Sequence, residues 1–212
     1  VVEGARPLLV EVQALCAPSY FAAPRRVVTG ADYNRVLVVL AVIEKRLGLR
    51  LGDMDVYINV AGGIKVGEPA LDLAIALAVI SSVRDMPLPK TLCAFGEIGL
   101  AGEVRAVGHA ERRAGEAARL GFSHCCLPRA GVERLSGIEN TQLRSVASLR
   151  DAVETWLPDA LRGRDGDSES RGAARPERGR GKTNGVSNGT AKANSRFAPR
   201  GDDETNEFEP EM

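Results

Sequence analysis

Short alternations of apolar and polar residues open the chain, and a stretch that is apolar on nearly every side occupies its middle. Residues 7–15 contain the run Val10-Glu11-Val12-Gln13, the period of a strand with one wet face. A proline-bounded loop is predicted over 16–24, then a short strand over 25–28. Asp32 is placed to cap a helix over 33–47, and Gly48 followed by Leu49 is a glycine stop with an apolar residue behind it. Residues 56–60 read as a strand broken by Gly62-Gly63. The apolar stretch predicts a buried helix from Pro69 to about Val83, with Glu68 and Asp72 favouring its N-terminal dipole. Two strands, 92–98 and 103–107, follow with a tight turn through Leu100-Ala101-Gly102. A helix over 109–120 repeats Ala110, Ala114 and Ala117 on one face and stops at Gly121. Strands at 123–127 and 142–146 and a helix over 149–157 complete the pattern. Hairpin-like strands mixed with buried helices predict an α+β fold.

Beyond residue 161 large apolar residues almost vanish. The predicted organisation is therefore a folded domain over 1–161 and a disordered charged tail over 162–212, which buries too little to offset its ordering entropy. Ten basic residues face four acidic ones over 162–200, and 201–212 holds six acidic and no basic residues. The neutral total thus hides two opposed patches. No run of eighteen apolar residues and no signal-peptide pattern occurs, so the expectation is a soluble cytoplasmic protein without a membrane partner. The start at Val1, directly in a strand-like pattern, suggests a fragment of a longer protein. Cys16, Cys93, Cys125 and Cys126 lack Cys-x-x-Cys spacing and are expected to be reduced structural thiols.

Candidate chemistry centres on Gly62-Gly63-Ile64-Lys65-Val66-Gly67-Glu68-Pro69-Ala70-Leu71-Asp72, a glycine-rich loop that delivers a proline to the first turn of the buried helix. With Phe95-Gly96-Glu97-Ile98-Gly99-Leu100-Ala101-Gly102-Glu103-Val104, it resembles the proteolytic domain of Lon proteases. It resembles still more closely the Lon-like C-terminal domain of the bacterial RadA (Sms) DNA repair family. The resemblance spans about residues 6–157 and implies a Lon-proteolytic-domain-like fold. Ala70 stands at the Lon serine position and Glu111 at the lysine position, while Asp72 replaces a small glycine. A Ser–Lys dyad needs a hydroxyl and a desolvated amine, so no catalytic residue is expected and the domain is predicted to be inactive as a peptidase. Ser81 and Ser82 lie about three turns further along the helix and cannot substitute.

Other sites have weaker residue support. Adjacent His124 and Cys125 on a strand point to opposite faces, which disfavours a shared metal. The Gly62–Lys65 loop lacks the Gly-x-x-x-x-Gly-Lys-Ser/Thr frame of a phosphate cradle. What remains is cationic surface: Arg25, Arg26, Arg35, Lys65, Arg84, Arg112 and Arg113 fall at loop or element ends, where they could reach a DNA backbone, with Lys90 and Arg105 beside them. Pairing with Glu44, Asp85, Glu103 and Glu111 is the competing reading, and residues 1–161 balance eighteen basic against eighteen acidic residues.

For the longer protein, the resemblance implies a four-cysteine zinc finger and a RecA-like ATPase with a Lys-Asn-Arg-Phe-Gly motif upstream. ATP, magnesium and zinc would bind there, and no cofactor is expected in this chain. It further implies a homo-oligomer, a hexameric ring, that processes recombination intermediates by branch migration, with single- or double-stranded DNA and the recombinase RecA as partners. This domain would then serve as ring scaffold and sequence-independent DNA surface. The alternatives are an active Lon-type serine peptidase with a displaced dyad and a Lon-like domain of a magnesium-chelatase-related ATPase.

Overall fold

A computed structural model describes residues 1–162, except 4, 5, 131, 133, 134, 136 and 137. The expected charged tail, from residue 163 onward, lies outside the described residues. The fold is α+β, and its elements run β1 (Val2–Glu3), β2 (Arg6–Pro7), β3 (Val12–Pro18), β4 (Arg26–Thr29), α1 (Tyr33–Leu47), β5 (Met54–Val60), a 3-10 turn (Pro69–Leu71) and α2 (Asp72–Arg84). Then come β6 (Leu92–Ala94), β7 (Glu97–Ile98), β8 (Val104–Arg105), α3 (Ala110–Arg119), β9 (His124–Pro128), β10 (Gln142–Val146) and α4 (Leu149–Trp156).

Two three-stranded sheets organise these elements. In the first, β5 is central, antiparallel to β3 and parallel to β4; in the second, β9 is central and parallel to both β10 and β6. Helix α2 lies in the core, with Leu73, Ile75, Leu77, Val79 and Ile80 no more than 2% exposed. An apolar helix needs neighbours on all sides. It finds α1, α4, β3 and β7 there. Val12, Ala14 and Cys16 of β3 turn inward against this cluster, whereas Gln13 and Leu15 face out. That alternation is the period of a strand with one wet face.

Local signals set several boundaries. The Asp32 side chain accepts a hydrogen bond from the Arg35 N–H, and Gly48 ends α1 in the left-handed region at φ 72°. Ser148 caps α4 by accepting from the Asp151 N–H. Elsewhere tertiary packing overrides the sequence pattern. The first long strand begins at Val12 rather than residue 7, and it runs through Pro18 into the expected loop because Cys16, Ala17 and Pro18 pair with Val56, Asp55 and Met54. Proline is tolerated there because β3 is an edge strand. The buried helix opens as a 3-10 turn. The expected strand over 92–98 divides at Phe95-Gly96: β6 joins the second sheet, and only β7 forms the hairpin with β8. A Cβ on Gly96 would sit 2.8 Å from the Val104 side chain and 3.3 Å from Pro128. The chain can cross between the sheets there because the residue has no side chain.

Candidate functional site

The entry to α2 is built from the glycine-rich loop and the first turn of α3. The Gly96 N–H donates to the Ala70 carbonyl at 2.9 Å, and the Leu73 N–H donates to the Gly96 carbonyl at 3.1 Å. These bonds clamp the Pro69 turn to the crossing after β6. On α3, the buried Arg113 forms an ion pair with Glu68, donates from Nε to the Gly108 carbonyl at 2.8 Å and stacks over Phe95 with 5.9 Å to the ring centroid. The two segments singled out in the sequence therefore meet directly at Ala70, and a second time through Arg113, which touches Glu68 of one and Phe95 of the other. Ala70 is 4% exposed and offers a methyl group to a cavity of about 700 Å³; Glu111 is exposed on α3.

Asp72 has a structural task. It is 1% exposed, and both its oxygens accept from Arg35 Nε at 3.0 Å while Oδ2 also accepts from the Ile98 N–H at 2.9 Å. Arg35 Nη2 bonds the same carboxylate, donates to the Ile98 carbonyl at 3.3 Å and lies 3.4 Å from Glu97, which in turn pairs with Arg105. Burial pushes the Asp72 carboxyl up, and the Arg35 guanidinium and Ile98 N–H oppose that push. The network ties α1, α2 and β7 together. Sequence alone marks Asp72 as a first-turn acid standing where Lon has a small glycine, and Arg35 as a candidate DNA-contacting cation at an element end.

The seven predicted DNA contacts fall into two groups. Lys65, Arg35, Arg112 and Arg113 belong to segments packed around the start of α2, as the Asp72 and Glu68 pairs show. Arg84 is at its end, where Ser82 accepts from the Cys16 N–H, and Arg25 and Arg26 adjoin this end through the pairing of Val56 with Cys16 and Arg26. The thirteen residues of α2 separate the groups by about 20 Å. Three of the seven are committed inward. Arg35 and Arg113 hold the pairs above, and Arg26 donates to the carbonyls of Arg25, Met54 and Leu51 at 2.9, 2.5 and 2.7 Å. Arg84 is half-buried; Arg25, which stacks on Phe21, Lys65 and Arg112 are exposed and hold no ion pair among the described residues. Of the neighbours, Lys90 is exposed, while Arg105 pairs with Glu103.

His124 packs edge-on against Trp156 at 5.4 Å, and its Nδ1 lies 2.9 Å from Ser123 Oγ. Cys125 and Cys126 enter different apolar clusters, as alternation along β9 requires. No group of three or more His, Cys, Asp or Glu residues is placed to hold a metal among the described residues, and no described helix is long and apolar enough to cross a membrane.

Residues 31–131 match the family model described as subunit ChlI of Mg-chelatase. The chain is 47% identical over 156 residues to DNA repair protein RadA of Bacillus subtilis and to that of Escherichia coli, covering 74% of this chain and 34% of each relative. It is 49% identical over 158 residues to the RadA of Synechocystis, covering 74% of this chain and 30% of that one. The chain thus spans about a third of the length of the curated relatives it matches. Over 74% of its length, the chain is a homologue of bacterial DNA repair proteins named RadA.

Proposed function

We propose that this chain is the Lon-like domain of a RadA-type DNA repair ATPase, inactive as a peptidase, and that it serves as an assembly scaffold and a sequence-independent DNA surface. The observation that carries this reading is the buried Ala70 methyl at the serine position, with the neighbouring polar groups engaged in packing α1, α2 and α3 rather than poised for chemistry. ATP, magnesium and zinc would be bound by upstream parts of the longer protein, which would act on recombination intermediates alongside RecA.

The outward face of the first sheet supports the scaffold role. Leu15, Tyr57 and Val27 stand in register across β3, β5 and β4; Leu15 is 61% and Val27 44% exposed, with Phe21 54% exposed in the segment before β4. A contiguous apolar row on a sheet face marks a protein contact better than scattered apolar residues do. Leu15→Glu should shift the chain toward monomer in light scattering and leave its circular dichroism unchanged; an unaltered mass distribution in a chain that does assemble would remove this face from the interface.

The match to the ChlI model favours a second reading, a Lon-like domain of a magnesium-chelatase-related ATPase. The residues encoded before Val1 distinguish the two, because a four-cysteine zinc finger and a Lys-Asn-Arg-Phe-Gly motif accompany the first. Peptidase chemistry has its own test. Fluorescent casein should remain intact with the wild-type chain and with Ala70→Ser, and the pair Ala70→Ser with Glu111→Lys should also fail, because Glu111 is exposed on α3 and does not line the cavity that Ala70 lines. Turnover that survives inhibitors of contaminating proteases and disappears on mutation of this chain would overturn the inactive reading.

A further inference from the structure

Two cysteines that lie far apart in sequence stand side by side in the second sheet. Cys93 of β6 and Cys125 of β9 are Cα partners on parallel strands, so their side chains share a face. Both pack in the apolar cluster formed with Phe95, Ala114 and Leu127. Neighbouring strands are about 4.8 Å apart, inside the Cα range of about 4.4–6.8 Å that disulfides span. Strand β6 has three residues and lies at the sheet edge, so it can yield by the small amount that bond formation needs.

Their surroundings differ in the way a reactive pair requires. Cys93 is half-buried and lines the cavity of about 700 Å³, whereas Cys125 is 0% exposed. Arg113 lines the same cavity, and its Nη1 is buried without a hydrogen-bond partner. A cationic neighbour favours the thiolate, the form that attacks a disulfide. Contact with Cys125 holds the Cys93 thiol below its usual range against the opposing effect of burial, with the charges of the Val1 amine and of Arg113 adding to it, while contact with Cys93 and burial push Cys125 up. The other two thiols are poorly placed. Cys126 faces the main core, and burial pushes it up to about 12; burial also raises Cys16, which packs toward the Val79 carbonyl.

We infer that Cys93 and Cys125 form a thiol–disulfide exchange site reached through this cavity, with Cys93 the attacking thiol and Cys125 the resolving one. The substrate class is a small disulfide, RS–SR. The Cys93 thiolate attacks one of its sulfurs, the S–S bond breaks, and RS⁻ leaves and takes a proton from solvent. Cys125 loses its proton to solvent and attacks Cys93 Sγ, forming the intrachain disulfide and releasing the second RS⁻. Two protein thiols are oxidised and one small disulfide is reduced to two thiols.

The test treats the native 212-residue chain with limiting bis(2-hydroxyethyl) disulfide and maps the products by peptide mass spectrometry without reduction. The expected product is a Cys93–Cys125 disulfide, with Cys93 consumed about ten-fold or more faster than Cys16. Cys125→Ala should trap the mixed disulfide on Cys93, and Cys93→Ala should leave Cys125 unmodified, each variant first checked for native circular dichroism. The wild-type rate comparison stands even if a variant fails to fold. Equal consumption of Cys16 and Cys93, no Cys93–Cys125 bond, or modification of Cys125 at the wild-type rate in Cys93→Ala would overturn the assignment.

Discussion

Replacing Arg35 with methionine is expected to destabilise the domain by about 3 kcal/mol, because it leaves the Asp72 carboxylate buried without its charge partner. The figure is at the low end for a broken buried pair, since the Arg35 side chain is 30% exposed and solvent screens part of the interaction. The loss should grow with pH. Burial already holds the Asp72 carboxyl above its ordinary value, and removing the opposing guanidinium raises it further. Between the unfolded carboxylate value and this raised folded value, the native state binds more protons than the unfolded one. Stability therefore falls as pH rises through that window. Urea titrations of both proteins from acidic to neutral pH would show the gap between them widening upward; a constant gap would mean that the methionine acts through packing alone.

Gly30→Ala should cost about 3 kcal/mol, by backbone strain and overpacking together. Gly30 has φ 79°, and an added Cβ would lie 2.8 Å from Val60 Cβ and 3.0 Å from the Ile64 carbonyl oxygen. Its own carbonyl accepts from the Val66 N–H at 2.8 Å, beside the bridge between Ala31 and Val66. These contacts hold the loop that carries Lys65 into the Pro69 turn. The variant should consequently lose stability and misplace Lys65, whereas Gly48→Ala, which meets nothing within 4 Å, should show the backbone penalty without the clash. Equal thermal shifts for the two would exclude close packing as the reason for Gly30.

Both expected effects arise where sequence and structure part company. The limits of α1 are legible because Asp32 and Gly48 act on their immediate neighbours, and the central position of α2 is legible because no exposed helix is so uniformly apolar. The break between β6 and β7 is not, since it depends on how closely Val104 and Pro128 approach Gly96. Arg35 reads as one surface cation among several until the fold brings it to Asp72, thirty-seven residues away. Arg113 likewise looks like an exposed helix residue until Glu68 and Phe95 surround it. The entry to α2 was thus marked by Gly62-Gly63 and Pro69, whereas the partners of its charged residues depend on tertiary contacts. Cys93 and Cys125 depend on them as well, through strand register.

A sequence-independent DNA surface should show itself most directly in the salt dependence of duplex binding. The cations left exposed at the start of α2 are Lys65 and Arg112. Affinity of the full chain for a random duplex, measured across a salt series, should fall linearly on a log–log scale. Lys65→Ala together with Arg112→Ala should reduce the magnitude of that slope by about 1.8, or about 0.9 for each lost phosphate contact. Coincident slopes for the two proteins, or no detectable binding by the wild-type chain at low salt, would contradict a DNA-facing role for this surface.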